Sequence, residues 1–398
     1  MSPLTDRISS FLSHVNRSLF SLLDDAEIEH TPKLLQLATL LELLQIERFA
    51  PRHSPYKVGV KPKYRQQLLR TFVAKAFYNA TDTKAFRERL LQDKSLRKVC
   101  GWAYRWEIPS ESTFSRVFTE CAETGLTDTV HAAQVDFWYG DSVIRNVSTD
   151  SSAIPAREKP VTRAKPKEDV ELAAKSDVEL AAKPKEEAEL AVEPASGKKK
   201  KQKKDGAAKA SSTPAEPTRL ERQITQVPEI ALLELATACD VGCKTNSKGN
   251  KDYWIGYKFH VRVADGKIPL IAVTTAASVH DSQVAIPLMK MSDRLVTSLY
   301  ELMDRGYDAK WIRKAAELAG HVPIIDYIRR RGQEHAEQLG PDRAEHYKGR
   351  TVVEQFNGRL KDEFGGNHLR VRGPRKVHAH LMFGTLVIFA DQILRTIT

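Results

Sequence analysis

Apolar residues recur at helical intervals along the first part of the chain. LLQLATLLELLQ (34–45) and YRQQLLRTFVAKAFYNA (64–80) place them three or four positions apart, which lines one face of a helix. A third stretch, IPSESTFSRVFTECAETG (108–125), begins with Pro–Ser and offers serines as N-caps. The pattern predicts an all-helical region over residues 1–140.

This helical region is a candidate for DNA contact. A helix-turn-helix is similar to the combination of LRKVCGWAYRW (96–106) with residues 108–125. In it, Arg116 and the basic segment 87–105 would contact phosphates or base edges. The alternative is a helical bundle with solvated basic faces, because a helix pair alone is a weak signal. We predict a helical DNA-binding domain at residues 1–140.

The pattern changes to that of strands after residue 140. DSVIRNVSTDSSAI (141–154) precedes YWIGYKFHVRVADGKIPLIAVTTAA (253–277), which alternates apolar and polar residues around an Asp265–Gly266 turn typical of a β-hairpin. The remaining elements predicted are strands within 297–309 and 321–328 and helices at 281–296, 308–320, 346–362 and 375–396. This order predicts an α/β domain with a mixed sheet flanked by helices, formed by 141–154 and 218–398.

A low-complexity segment interrupts this α/β domain. Residues 155–217 contain the near-repeats KEDVELAA, KSDVELAA and KEEAELAV and then the lysine run KKKKQKK. Such a composition buries too little apolar surface to offset the entropy of ordering, and three short units do not suffice for a repeat fold. We predict a disordered charged insertion, which either attracts phosphates or serves only as a tether.

Composition favours a polyanionic partner. The 398 residues carry a net charge of +11, with a pI near 9.3 and a mean hydropathy of −0.42. No apolar run reaches the roughly 18 residues of a membrane span, and the N-terminus lacks the order of a secretory signal. Four cysteines do not make a disulfide framework, and Cys239 and Cys243 have no second matching pair, so free thiols are expected rather than zinc.

Three carboxylates are candidates for a catalytic metal site. Asp150 lies at or just past the first strand, Asp304 ends a later strand, and Glu354 lies on a predicted helix. Convergent carboxylates suit one or two Mg²⁺ ions, which take oxygen ligands. Taken singly, an aspartate at a strand end is more often a turn or cap residue; Asp265 is expected in the hairpin turn and Asp281 at a helix N-cap, with a place near the metals as its alternative.

Glu354 shares one helical stripe with three residues that can bind DNA. Tyr347, Arg350, Glu354 and Lys361 are spaced so that their side chains fall within an arc of roughly 60° on a straight helix. The alternative for the stripe alone is a surface helix with an Arg350–Glu354 ion pair.

VSTDSSAI, MDRGYDA and Y-x2-R-x3-E-x6-K together resemble the DDE transposases of bacterial insertion sequences, in the group with the Y-R-E-K signature. The resemblance covers nearly all of the chain except 155–217. It implies a ribonuclease H-like domain that performs cut-and-paste DNA transposition with Mg²⁺ or Mn²⁺, through two ions, by cleavage at the element's ends and attack of the freed 3′-OH. The group's usual route passes through a hairpin intermediate.

The resemblance also implies roles for individual residues and partners. Asp150, Asp304 and Glu354 would bind the metal, while Tyr347, Arg350 and Lys361 would hold the transposon end. The expected partners are the double-stranded DNA of the transposon ends and of the target. A homodimer on paired ends is expected, without a membrane, in the cytoplasm of a prokaryote and associated with its nucleoid.

A basic loop follows the signature. NHLRVRGPRKVHAHLMFG carries Arg370 and Arg372, which we expect to contact phosphates, before a helix that we expect to be buried. Two rival functions stay open on the sequence: a ribonuclease H-like nuclease without strand transfer, and an inactive transposase-derived DNA-binding protein.

Overall fold

The computed structural model divides the chain into two units, residues 1–160 with 218–398, and residues 161–217. The residues described are 3–14, 31–51, 63–161, 216–245, 249–329, 333 and 337–397. From 162 to 215, the predicted charged insertion lies outside the described residues. The account that follows concerns the first unit.

The N-terminal part of the chain is helical, as its periodicity predicts. Its helices are α1 Pro3–His14, α2 Pro32–Leu44, α3 Arg65–Phe77, α4 Thr83–Gln92, α5 Lys94–Val99, α6 Glu111–Thr124 and α7 Leu126–Tyr139. The helix-turn-helix interpretation is wrong in one respect. Residues 100–110 connect α5 to α6 and include a short 3-10 turn, whereas a helix-turn-helix has a connection of about three or four residues.

Six strands form one sheet in the described part of the chain. They are β1 Val143–Pro155, β2 Asp240–Thr245, β3 Lys251–Ala264, β4 Ile268–Ala276, β5 Thr297–Met303 and β6 Val322–Ile325. The predicted hairpin is confirmed as β3 and β4, joined by a 3-10 turn at Asp265–Lys267 in which Gly266 has a φ of 75°. The Asp265 carboxylate also accepts the Asn146 N–H at 2.8 Å, which ties the turn to β1.

The sheet is mixed in the way the sequence predicts. β1 pairs antiparallel with β3 and parallel with β5, β6 lies parallel beside β5, and β4 and β2 both pair antiparallel with β3. With helices flanking it, the sheet confirms the ribonuclease H-like α/β fold.

The helices of this part of the chain are α8 Arg219–Thr225, α9 Pro228–Leu233, α10 Ser282–Ser292, α11 Lys310–Leu318, α12 Pro341–Tyr347, α13 Thr351–Asp362 and α14 Pro374–Ile397. The single helix predicted over 346–362 is wrong in detail, because a 3-10 turn at Lys348–Arg350 separates α12 from α13. A 3-10 turn holds about 3.0 residues rather than 3.6, so the predicted stripe changes direction there.

The central element of the largest core is α14. It contacts α2, α3, α6 and α7 on the helical side and β4 on the sheet. Residues 374–396 are long and apolar enough to span a membrane, but 83% of the most apolar window is buried inside the fold, as expected for a core helix. The N-terminal helices and the sheet therefore share one continuous core.

A buried ion pair lies within the sheet. Arg262 of β3 donates to Glu301 of β5 at 2.5 Å, and both side chains are fully inaccessible to solvent. The Ser298 hydroxyl donates a further hydrogen bond to Glu301 at 3.2 Å. Nε and Nη1 of Arg262 and Oε2 of Glu301 have no hydrogen-bond partner in the described part of the chain. Each charge is compensated mainly by the other, because burial removes the screening of water.

Candidate active site

Asp150 and Asp304 lie side by side on two neighbouring parallel strands. Thr149 of β1 pairs with Met303 of β5, so the next residue of each chain segment is an aspartate. Asp150 is inside β1 and pairs with Val261 of β3, which places it within the strand rather than past it. Asp304 is the first residue after β5, and its Oδ1 accepts the Gly306 N–H at 2.8 Å. One carboxylate oxygen of Asp304 is thus engaged in capping a turn.

The environment of Asp150 raises its pKa from 3.8 to about 6. Burial is the largest cause, and the charges of Asp304 and Asp281 act in the same direction, while Arg350 opposes them. Asn357 of α13 donates to Oδ2 of Asp150 at 3.2 Å. This half-buried carboxylate is held at an energetic cost that a bound cation would relieve.

Arg350 connects Asp150 with Glu354. Its Nη2 donates to Oε1 of Glu354 at 2.6 Å, and its Nη1 lies 3.9 Å from Oδ1 of Asp150. The expected i,i+4 ion pair between Arg350 and Glu354 is therefore present. The same guanidinium also lies close to the carboxylate of Asp150 in the sheet. Glu354 remains 54% exposed while Arg350 is only 18% exposed. The arginine fills the space between the two acids.

The three carboxylates are of the ligand type that divalent cations prefer, but they are not gathered around one point. Among the described residues, no three aspartate, glutamate, histidine or cysteine side chains are grouped closely enough to bind an ion as they stand. Asp150 and Asp304 are adjacent, and Glu354 is kept from them by the Arg350 side chain. The assignment of the three as metal ligands stays a prediction.

Tyr347 and Lys361 both interact electrostatically with these acids, Tyr347 with Asp304 and Lys361 with Asp150. Burial raises the pKa of Tyr347, with Arg350 acting against it and Asp326 and Asp304 adding to it, so the phenol is near the end of β5. Burial also lowers the pKa of Lys361, and repulsion from Lys244 of β2 adds to the effect. Lys361 is thus a partly desolvated cation with a second lysine near it.

The other predicted DNA-binding residues lie elsewhere. Arg116 is exposed on α6, where it donates to Thr113 Oγ1 at 3.2 Å. Arg370 and Arg372 are exposed on the segment between α13 and α14 and border a cavity formed with α3 and α6. The structure does not bring these three arginines into the acidic site.

Asn357 and Lys258 are site residues that we did not single out from the sequence. Asn357 lies three residues after Glu354, and this spacing on a helix was a usable signal. Lys258 of β3 donates to Oδ1 of Asp281 at 2.9 Å. Asp281 occupies the predicted N-cap position, but its helical backbone (φ −58°, ψ −38°) leaves the side chain without a capping hydrogen bond. Burial acts to raise the pKa of Asp281, yet His260 and Lys258 hold it below its usual value.

The cysteines do not gather into a zinc site in the described structure. Cys239 is buried just before β2 and Cys243 is exposed within it, and both are free thiols. Burial raises the pKa of the Cys239 thiol, which keeps it protonated.

Two family models match the chain. Residues 237–390 match the one described as Transposase DDE domain, which includes Asp304 and Glu354 and begins after Asp150. Residues 21–120 match the one described as Transposase domain (DUF772), which includes α2 to α5 and most of α6. Comparisons with curated proteins and with solved structures gave no match.

Proposed function

We propose that this chain, which carries a transposase DDE domain and a second transposase domain, cuts DNA at the ends of an insertion sequence and transfers the freed strands. We assign it to the group with the Y-R-E-K signature, and its mode to cut-and-paste transposition. The observation that carries the proposal is the adjacency of Asp150 in β1 and Asp304 directly after β5, with Arg350 in contact with both Asp150 and Glu354.

Asp150, Asp304 and Glu354 would hold Mg²⁺ or Mn²⁺, as two ions. Carboxylate oxygens are the ligands these cations prefer, and the raised pKa of Asp150, about 6, marks a site where added positive charge is stabilising. When bound, two such ions supply the positive charge and Lewis acidity that phosphodiester cleavage requires. The chain itself positions the acids, through the hydrogen bond from Asn357 to Asp150 and the turn that orients Asp304.

Arg350, Tyr347 and Lys361 would bind the DNA end. Arg350 has a planar guanidinium that forms paired hydrogen bonds to phosphate as readily as to carboxylate. On DNA it would exchange Glu354 for a phosphate, which frees Glu354 for the cation. Lys361 lies about 10 Å along α13 from Glu354, two helical turns on the same side, and suits the next phosphate.

The helical region 1–140 would provide further DNA contact through Arg116, and Arg370 and Arg372 of the segment before α14 would also bind phosphates. The helical region also carries an exposed aromatic pair that suits DNA contact. The rings of Tyr104 and Trp106 stack at 4.3 Å with Arg105 between them in sequence, and Trp106 is 77% exposed. Exposed rings beside a cation are suited to bases or sugars. A homodimer on paired ends, in the prokaryotic cytoplasm with the nucleoid, completes the proposal.

Incubation with linear DNA that carries the gene's flanking inverted repeats tests the proposal. We expect cleavage at the repeat ends in Mg²⁺ or Mn²⁺, followed by joining to a target plasmid. Asp150→Asn, Asp304→Asn and Glu354→Gln should each abolish cleavage. Glu345→Gln is the matched control, because Glu345 is an exposed glutamate on α12 that pairs only with Lys348 among the described residues.

The outcomes separate the proposed function from its rivals. Cleavage without joining would identify a nuclease, and end binding without cleavage in either metal would identify an inactive derivative. If the three acid variants cleave as well as Glu345→Gln, the metal assignment is wrong.

A further inference from the structure

The structure contains an aromatic cavity outside the acidic site. It has a volume of about 400 Å³ and lies between α3, α6, the segment 363–373 and α14. Its aromatic wall is a cluster in which Phe72 contacts Phe118 at 5.4 Å and Phe383 at 5.5 Å between ring centroids. Phe118 is only partly buried, and Phe364 lines the cavity as well. The volume falls in the range of about 300–1,000 Å³ that is usual for small-molecule sites.

Four cations line the cavity. Lys75, Arg370, Arg372 and Lys376 make no ion pair within 4.0 Å and no side-chain hydrogen bond in the described part of the chain. Two carboxylates, Asp82 and Glu111, also line it, which leaves an excess of positive charge. His380 borders it too, but burial lowers its pKa to about 4, so it is neutral.

The positive charge of Lys75 is only partly compensated by the carboxylates that line the cavity. Burial lowers the pKa of its ammonium group from 10.5 to about 8, and the charge of Asp82 opposes this only in part. A cation that is partly buried without a partner is destabilised, and an anion bound beside it would relieve the cost.

We propose that the aromatic cavity binds a nucleotide, with the base against Phe118 and Phe364 and the phosphate at Arg370, Arg372 and Lys75. A ligand that joins a flat apolar ring to an anion fits this lining, because the cavity presents both aromatic rings and an excess of cations. Base stacking on aromatic side chains and guanidinium binding of phosphate are the two interactions that these residues offer.

The position of the cavity allows either a free nucleotide or one that belongs to a DNA strand. Phe364 follows α13, ten residues after Glu354, and a helix rises about 1.5 Å per residue, so the two lie roughly 15 Å apart along the segment. A strand that passes Glu354 and Lys361 would reach the cavity within a few nucleotides. The shared chemistry is a base with its phosphate, and the source is decided by the experiment.

Calorimetric titration of the full chain with deoxyadenosine monophosphate, in EDTA and at low salt, tests the proposal. We expect saturable binding that is at least about fivefold tighter than that of deoxyribose 5-phosphate, because base stacking is lost in the latter. Arg372→Ala should weaken binding about tenfold, whereas Arg145→Ala, an exposed arginine on β1 away from the cavity, should not change it. Phe118→Leu should weaken the binding of the nucleotide but not the binding of deoxyribose 5-phosphate.

A second arm uses a five-nucleotide single strand in competition with the mononucleotide. Tighter binding of the strand assigns the cavity to DNA, and tighter binding of the mononucleotide assigns it to a free nucleotide. No saturable binding, equal binding of deoxyribose 5-phosphate, or no effect of Arg372→Ala would overturn the proposal. Since Arg372 is exposed, its variant keeps the fold even if Phe118→Leu does not.

The titration contains neither metal nor cleavable ends, so its failure would leave the proposed cleavage untouched. Conversely, a chain inactive in cleavage is still expected to bind the nucleotide, and Asp150→Asn should bind it like the original protein.

Discussion

Replacing Asp150 with asparagine should stabilise the metal-free protein, and more so at pH 8 than at pH 5. The pKa of Asp150 is about 6 in the fold against an ordinary 3.8, chiefly because of burial. A raised carboxyl pKa means that the folded state binds more protons than the unfolded one between these values. Stability contributed by the protonated acid is therefore lost as the pH rises towards and through 6.

The magnitude follows from the shift. A difference of about two pKa units corresponds to roughly 3 kcal/mol of destabilisation once the carboxylate is ionised. About 1.4 kcal/mol of that develops between pH 5 and pH 8, because the unfolded carboxylate is already ionised at pH 5. Asparagine keeps an oxygen that can accept from Asn357 and removes the buried charge, at the loss of a weak contact with Arg350.

Urea unfolding at pH 5 and pH 8 in EDTA measures the effect. The free energy of unfolding of Asp150→Asn should exceed that of the original protein by about 1.4 kcal/mol more at pH 8 than at pH 5. Other titrating groups are common to both proteins and cancel. Asp342→Asn, an exposed aspartate on α12, is the control and should show the same difference at both pH values. If the free energy of unfolding of Asp150→Asn differs from that of the original protein by the same amount at pH 5 and at pH 8, the reasoning is refuted.

Three further changes have expected results. Arg350→Lys should lower DNA-end binding and cleavage about tenfold while the melting temperature changes little, since an ammonium group cannot form the planar, paired hydrogen bonds of a guanidinium; unchanged binding in a gel-shift assay would contradict this. Arg262→Met should lower the free energy of unfolding by about 3–5 kcal/mol because Glu301 is left buried and unpaired, and adding Glu301→Leu should recover most of it in urea unfolding; no recovery would mean that the loss is one of packing. Trp106→Ala should weaken DNA binding at least about fivefold, and Tyr253→Ala, which removes another exposed ring, should not; equal losses would rule out a specific aromatic contact.

The sequence predicts the sheet well because its strands carry strong local signals. The alternation before and after Asp265–Gly266 predicts the hairpin, and the apolar run within 375–396 predicts the core helix. The sequence does not predict the short elements α8, α9 and β2, because six or seven residues give too little periodicity to recognise. Helices α8 and α9 pack chiefly against α10, and β2 pairs with β3, so the position of all three depends on tertiary contacts.

The candidate site is predicted only in part for a similar reason. The order and spacing of Asp150, Asp304 and Glu354 indicate an acidic site, but the place of Arg350 between two acids depends on tertiary contact. Asp281 was expected to cap a helix, and the Lys258 side chain from a distant strand instead binds its carboxylate. Long-range partners of this kind leave no trace in local spacing.

The central position of α14 has a consequence for how the chain acquires its structure during synthesis. Helices α2, α3, α6 and α7 leave the ribosome more than 200 residues before the helix that covers their apolar faces. Until then those faces have no final partner, and contacts between distant parts of a chain form slowly. The helical region therefore completes its packing only after the residues of the acidic site have also left the ribosome, so neither part reaches its final structure before the other.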